Sequence, residues 1–291
     1  MTRKGTTRAW LSGAGAVLMT VSSLVPFTIL SIYMQPMSEE LGVTVGQLAM
    51  VPAISTVGGI VSALLIGRLM KVLNPRIMIV IGGATVFALY FTISVAHSIV
   101  PIYIAALFNG IGTVWSGVAM AQIIITMWFA KGRGTMMSAA MVAMGVAMVA
   151  AIPIAGTQVA AVGYRPVVMV VAIVAGVGIL VSAAISSGSP DKYGLAPLGA
   201  EMTGTGDDTT AAAVPSLPWS VIVRNPVFWA IWVIVVLATV VAQGFSSQAA
   251  VVFGSLGLDQ VAAAFAFSLF SLVGLPMQFL FGVVSDKFGP K

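Results

Sequence analysis

Charge and cysteine are what this sequence has least of. It contains no cysteine and one histidine, and charged residues make up only 7% of its 291 positions. Without cysteine there is no disulfide and no thiolate nucleophile, and a protein metal site is not expected. A soluble domain of this length needs a far more polar surface. These absences exclude a water-soluble fold.

Hydrophobic residues fill the space that charge leaves. They make up 59% of the chain, and the mean hydropathy is +1.08. Each long apolar run has enough residues to cross ~30 Å of hydrocarbon as a helix. The first run is about twice as long as the core of a signal peptide, and equally apolar runs follow it. We therefore predict an all-α integral membrane protein with eight transmembrane helices, at about 10–33, 48–67, 77–96, 101–129, 134–162, 166–186, 226–253 and 260–284.

The few basic residues predict the orientation in the membrane. With a cytoplasmic N-terminus, 12 of the 13 Lys and Arg residues fall on the cytoplasmic side and only Arg165 falls outside. Cytoplasmic loops carry this excess of positive charge. The basic pI is thereby explained without nucleic acid as a partner. We predict a multi-pass protein of the plasma (cytoplasmic) membrane with its N-terminus inside and the lipid bilayer as its main partner.

Local signals support the helical interpretation. Thr44-x-x-Gln47 is a capping box that opens the second run. Small residues recur at helical spacing in the second and fifth runs, which allows close helix approach in lipid. The interface they predict is either static packing or a surface on which two half-bundles rock. The second run carries Ser55, Gly59, Ala63 and Gly67, and the fifth carries Ala139, Ala143, Ala147, Ala151 and Ala155.

One long polar segment, 187–223, separates six runs from two. It is rich in Gly, Pro, Thr and Ala, a composition typical of a flexible linker. Three regions follow from this division: a six-helix bundle at 1–186, a cytoplasmic linker at 187–224, and two helices of a second bundle at 225–291.

The two bundles share a repeated stretch. Residues 67–76 read GRLMKVLNPR, and residues 282–291, 215 positions later, read GVVSDKFGPK. Each stretch directly follows a long apolar run, and Gly59 matches Gly274 in the same register. Duplicated membrane halves are a hallmark of secondary transporters.

The second copy, G-x-x-x-D-K-x-G-P-K, closely resembles the cytoplasmic loop signature of the major facilitator superfamily. Three further stretches are similar to its oxalate/formate antiporter and monocarboxylate-porter branch. They are Trp128-Phe129 with KGRG at 131–134, PDKYGL at 190–195, and RNPVFW at 224–229.

The resemblance implies a major facilitator-type bundle of twelve helices, of which this chain holds eight, so we expect it to be truncated after helix eight. It implies cytoplasmic gating loops around the two signature copies. Lys71 and Val72 stand where the family pattern has an acid and a base, and helix eight lacks the cation expected of carboxylate carriers in this branch. The gating residues implied are Gly67, Lys71, Arg76, Arg133, Gly282, Asp286, Lys287 and Gly289.

Neutral polar side chains align on three helices. On helix one they are Thr20, Ser23, Thr28, Ser31 and Gln35; on helix four Asn109, Thr113 and Ser116; on helix seven Trp232, Thr239, Gln243 and Ser246. Such rows serve either as interhelical hydrogen bonds or as the lining of a substrate path. The resemblance places helices one, four and seven around the central cavity. A path there would be lined by Thr28, Ser31, Asn109, Thr113, Trp232, Thr239, Gln243 and Ser246.

These patterns predict a secondary active transporter that moves a small solute by alternating access. The resemblance implies a small organic anion, such as a monocarboxylate or dicarboxylate. No nucleotide-binding motif is present, so a coupling ion or an exchanged solute would drive transport, and no cofactor is expected. An enzyme is disfavoured, because the runs contain no acid, base or nucleophile cluster. The alternative is a non-transporting membrane sensor or the truncated remnant of a transporter.

Overall fold

Apolar segments in lipid must satisfy their own backbone hydrogen bonds, and this chain does so with helices. The computed structural model describes residues 3–186, 190, 195, 197–199, 219–255, 274, 276–277 and 279–284. The helices within this part of the chain are α1 (Arg3–Leu41), α2 (Val45–Val72), α3 (Pro75–Val95), α4 (Ile99–Trp115), α5 (Val118–Trp128), α6 (Arg133–Val162), α7 (Tyr164–Ile185), α8 (Trp219–Arg224) and α9 (Pro226–Ser255).

Six segments are long and apolar enough to cross a membrane, and they coincide with the first six predicted runs. The seventh run is the apolar helix α9. Of the eighth run, at 260–284, only residues near its end are described, and 279–284 are helical. The all-α membrane fold is therefore confirmed. The six segments are Gly5–Leu30, Val45–Met70, Pro75–Val95, Ile99–Trp128, Arg133–Val162 and Tyr164–Ile185.

The fourth span is broken, which the sequence analysis did not predict. α4 ends before Ser116, with φ −126° and ψ 13°, and α5 begins after Gly117, with φ −111° and ψ −152°. A break leaves carbonyl groups without helical partners, and in a membrane these need other donors. Ser23 of α1 donates its hydroxyl to the carbonyl oxygen of Ser116. A neighbouring span thus satisfies one of the freed groups.

Side chains at the helix starts explain where several helices begin. The predicted capping box is confirmed: the Gln47 N–H donates to Thr44 Oγ1 over 3.2 Å, and the Thr44 N–H donates to Gln47 Oε1 over 2.9 Å. Asn74 and Asn225 each accept a hydrogen bond from the backbone two residues on, at 3.3 and 2.9 Å, just before a proline at the first helical position. Proline fits there because its missing N–H would have no helical partner.

Glycine residues, which have no side chain, allow α4 to pack closely against α2 and α3. Gly110 packs on the backbone of α2 at Ser55 and Gly58, and Gly112 packs on α3 at Gly82. α3 in turn packs on α7, and α1 contacts α5, α6 and α7. The hydrophobic effect gives no drive for association between helices in lipid. Close contacts at glycine allow van der Waals packing to stabilise the association instead.

Leu198, in the segment that follows α7, is hydrogen-bonded to the end of α5 and to the residues after it. The Leu198 N–H donates to the carbonyl oxygen of Trp128 over 2.7 Å, and the Ala130 N–H donates to the Leu198 carbonyl oxygen over 2.8 Å. We call residues 197–199 the Leu198 strap. Backbone hydrogen bonds fix the strap to the end of α5. The linker over residues 187–224 stays a prediction, because most of it lies outside the described residues.

The chain divides into two compact units. One comprises residues 1–201 and 278–291, and the other comprises residues 202–277, including α8 and α9. Within the second unit the Trp229 indole N–H donates to the carbonyl oxygen of Val223 over 2.8 Å, which fastens α8 to α9.

Candidate functional site

A cavity of about 380 Å³ lies between α1, α5 and α6 in the first unit. Its polar lining consists of Thr20 from α1, Gln122 from α5 and Ser138 from α6. We call it the Thr20 cavity. The rest of its wall is apolar and includes Met137 and Met141. The cavity therefore offers a few neutral hydrogen-bonding groups in a hydrophobic setting, the usual composition of a small-molecule site.

The hydrogen-bonding capacity of the cavity is only partly used internally. The Thr20 hydroxyl donates to the carbonyl oxygen of Ala16 over 2.9 Å, which leaves its lone pairs as acceptors. Gln122 is exposed and has no hydrogen-bond partner among the described residues. A side-chain amide within a membrane span is costly unless it meets water or a ligand. Gln122 is thus the group in the cavity with the greatest need of a partner.

The break in the fourth span gives the cavity one of its walls. Val118, Ala121 and Gln122 all line it, and all follow the break at Ser116–Gly117. A continuous helix would carry these side chains at a different rotation about the axis. The link between Ser23 and Ser116 lies at the break that precedes these cavity residues.

The predicted polar face of helix one separates into distinct environments. Thr20 lines the cavity and Ser23 binds α4, as described above. The Thr28 hydroxyl donates back to the Leu24 carbonyl oxygen over 3.2 Å, and the Gln35 amide donates to Glu39 over 2.9 Å. The side chain of Ser31 lies outside the described part of the molecule.

The predicted face of helix four points largely toward α2. Asn109 is 1% exposed, and its amide lies 3.5 Å from the Ser55 hydroxyl oxygen of α2. Thr113 donates to the Gly110 carbonyl oxygen over 2.9 Å. Of the three aligned residues, the structure brings only Ser116 to the polar face of helix one, through Ser23.

Helix seven corresponds to α9 of the second unit. Trp232 is 51% exposed, with its ring centroid 5.8 Å from that of Trp229. The Thr239 hydroxyl donates to the Val235 carbonyl oxygen over 2.7 Å. The side chains of Gln243 and Ser246 are not among those described.

The two signature copies differ in their surroundings. Gly67 has open space where a side chain would be. A methyl group on Gly282, by contrast, would overlap the side chain of Ser138 and lie 2.7 Å from the carbonyl oxygen of Gly134. Gly282 and its neighbour Phe281 also line the Thr20 cavity. The second copy therefore touches both the start of α6 and the cavity.

The remaining gating candidates bind backbone carbonyl groups where they are described. The Arg76 guanidinium donates through Nε to the Ser186 carbonyl oxygen over 2.8 Å, and Arg133 donates to that of Phe129. Both contacts cap helix ends, where positive charge is favourable. The side chain of Lys71 and all of Asp286, Lys287 and Gly289 lie outside the described residues.

Arg165, at the start of α7, forms one ion pair and two hydrogen bonds to backbone carbonyl groups. Its Nε lies 2.6 Å from Glu40 Oε1, and its other two nitrogens donate to the carbonyl oxygens of Ser94 and Ala96 over 3.1 and 2.8 Å. One guanidinium thus joins the ends of α1 and α3 to the start of α7.

Most of the chain is similar to one known protein family. The part of the chain that the structure describes contains no group of three His, Asp or Glu residues able to hold a metal ion. No curated protein gives a significant match to the chain. A family model described as the Major Facilitator Superfamily matches residues 16–291. The chain therefore belongs to the major facilitator superfamily of multi-pass membrane transporters.

Proposed function

We propose that this transporter is secondary active and moves a small organic anion, a monocarboxylate or a dicarboxylate, by alternating access. The observation that carries the proposal is the Thr20 cavity, with its neutral hydrogen-bonding groups inside a bundle of this family. The Gln122 amide N–H and the Ser138 hydroxyl are suitable donors to carboxylate oxygens. The oxalate/formate and monocarboxylate branch, which the loop motifs resemble, favours this substrate class.

We assign the lining of the substrate path to the aligned residues of helices one, four and seven: Thr28, Ser31, Asn109, Thr113, Trp232, Thr239, Gln243 and Ser246. None of the cavity side chains is charged. A coupling ion or exchanged solute, or residues outside the cavity, would therefore balance the charge of an anion. The orientation of the chain, with its N-terminus inside, rests on the distribution of Lys and Arg.

Gating would occur at the cytoplasmic signature copies. Gly282 touches the start of α6 beside the cavity, so a movement of this contact would change access to it. We propose that Gly67, Lys71, Arg76, Arg133, Asp286, Lys287 and Gly289 belong to the same gate. Two repeats that rock about a central site are a common solution in transporters with duplicated halves.

Uptake of radiolabelled formate and oxalate into vesicles tests the proposal. Gln122→Leu keeps the volume of the side chain and removes the amide, so uptake per folded molecule should fall at least tenfold. Thr126→Val is the matched control: Thr126 is exposed one turn further along α5, and its hydroxyl donates to the Ile123 carbonyl oxygen over 2.8 Å. It should leave uptake unchanged.

Sidedness can be measured on the same protein, because the chain has no cysteine. A single thiol in Gln122→Cys should react with a membrane-impermeant thiosulfonate, and formate or oxalate should protect it. Absence of uptake together with a thiol that reacts from only one face under all conditions would favour a non-transporting sensor. Equal uptake by Gln122→Leu and the parent chain would remove the cavity from the path.

A further inference from the structure

A second and larger cavity, of about 1050 Å³, lies between α6 and α7 with α1 as its floor. We call it the α6–α7 groove. Its volume is slightly above the ~300–1,000 Å³ typical of small-molecule sites. We propose that this groove binds one phospholipid of the surrounding bilayer, with the acyl chains along α7 and the ester region beside Gln158.

The walls of the groove are hydrocarbon surfaces. They include Ile154 of α6 and Val170, Val174 and Val177 of α7, of which Val174 is 65% exposed. All four lie inside the apolar spans that contain α6 and α7, so a hydrocarbon occupant matches them. Branched side chains of this kind have few rotamers, which gives the groove a stable shape.

Contacts between the helices determine the depth of the groove. At Gly178 the backbone of α7 lies against the side chain of Ser22, so a Cβ at this position would require the Ser22 hydroxyl to move. α6 packs chiefly on α1 rather than on α7. The result is an open slot between α6 and α7 above a floor formed by α1.

The slot is bounded at one end by the connection between α6 and α7, and it is longer than one leaflet of the hydrocarbon core. A single residue, Gly163 with φ +80°, connects α6 to α7, so the two helices meet there. Lining residues on α7 extend from Pro166 to Val181, roughly 22 Å along the axis. This length exceeds the roughly 15 Å of one leaflet of a ~30 Å hydrocarbon core. A helix of a second copy would have to cross both leaflets, and the closed end would obstruct it.

Gln158 supplies the polar part of the site. It lines the groove about one turn before α6 ends at Val162, is exposed, and has no hydrogen-bond partner among the described residues. At this depth the ester and glycerol oxygens of a phospholipid are available as acceptors for its amide. An occupant with oxygen atoms at the level of Gln158 and hydrocarbon beyond it fits both parts of the groove.

Lipid retention by the purified full chain tests the proposal. The protein is extracted from vesicles of phosphatidylethanolamine and phosphatidylglycerol, washed in detergent, and analysed by native mass spectrometry. One phospholipid per chain should remain on the parent protein. Val174→Trp fills the groove and should reduce its occupancy at least fivefold. Leu180→Trp should retain the lipid, because Leu180 is 51% exposed on the same helix but does not line the groove.

Two further variants separate the polar and apolar contributions and do not depend on the folding of the tryptophan variant. Gln158→Leu should lower occupancy about fivefold at an unchanged folded yield. Bimane attached to Val174→Cys should be quenched by acyl-chain spin-labelled phosphatidylcholine at least twice as strongly as bimane on Leu180→Cys. Equal lipid retention by Val174→Trp and Leu180→Trp would overturn the lipid site, and so would equal quenching of bimane at the two positions. A change from dimer to monomer caused by Val174→Trp would instead show that the groove holds a second copy, and it would also overturn the lipid site.

Discussion

The contact between α2 and α4 at Gly110 allows a quantitative test of the packing. A methyl group at Gly110 would lie 2.6 Å from the carbonyl carbon of Gly58, and closer still to the Ser55 carbonyl oxygen and the Gly59 nitrogen. Ordinary contact begins at 3.4 Å, so the helices must separate by more than about 0.8 Å. The obstructing atoms are all backbone and cannot rotate away. Gly110→Ala therefore forces two spans apart.

The expected size of the effect follows from two opposing terms. Overpacking typically costs about 1–3 kcal/mol. Replacing glycine by alanine within a helix contributes up to ~1 kcal/mol in the other direction. Gly156 is also inside a helix, α6, and has no atom within 4 Å of its missing side chain. Gly156→Ala should therefore stabilise the protein slightly, and Gly110→Ala should destabilise it by up to about 2 kcal/mol.

Thermal unfolding in detergent micelles measures the difference through tryptophan fluorescence. Since ~1 kcal/mol shifts Tm by about 2–4 °C in proteins of 150–250 residues, the two variants should differ by several degrees. The heating rate must be held constant, because unfolding of such proteins is often irreversible. Equal Tm values for Gly110→Ala and Gly156→Ala would refute the close crossing of α2 and α4.

Two further predictions use matched pairs in the same assay. Arg165→Gln removes the ion pair and two charge-assisted hydrogen bonds to carbonyl oxygens, and it should lower the stability by about 1–3 kcal/mol. Glu40→Gln removes the exposed ion pair alone and should lower the stability by less than about 1 kcal/mol. Similar losses of stability would show that the carbonyl contacts contribute nothing. Tyr90→Phe should be neutral or stabilising, because that buried hydroxyl has no partner among the described residues, while Tyr103→Phe should destabilise by about 1 kcal/mol, because its hydroxyl donates to the Gln47 carbonyl oxygen over 2.8 Å. A larger loss of stability for Tyr90→Phe than for Tyr103→Phe would contradict this prediction.

Hydropathy alone predicted the spans of the first unit, because lipid leaves an apolar run little alternative to a helix. The cap at Thr44 was predictable for a similar reason, since its partner Gln47 lies only three residues away. The break at Ser116 was not, because the donor to its carbonyl oxygen is the hydroxyl of Ser23, 93 residues earlier in the chain. The Leu198 strap was missed because its backbone hydrogen bonds carry no sequence signature.

The candidate site was harder to predict than the fold. Thr20 was identified on the polar face of helix one, but Gln122 and Ser138 were missed. Helical periodicity counted from Asn109 loses its phase at the break, so Gln122 did not align with the residues before it. The sequence signal that could have identified Gln122 is that it is a side-chain amide within an apolar run. Ser138 joins the cavity only through the tertiary packing of α6, which no local pattern reveals.

The Leu198 strap also bears on the order in which the chain folds during synthesis. Every partner of its backbone hydrogen bonds precedes it, because Trp128 and Ala130 are made some seventy residues earlier. Domains generally fold as units with the N-terminal one first as the ribosome extends the chain. The six spans can therefore assemble, and the strap can fasten their end, before α9 leaves the ribosome. This order would limit mispairing between equally apolar helices.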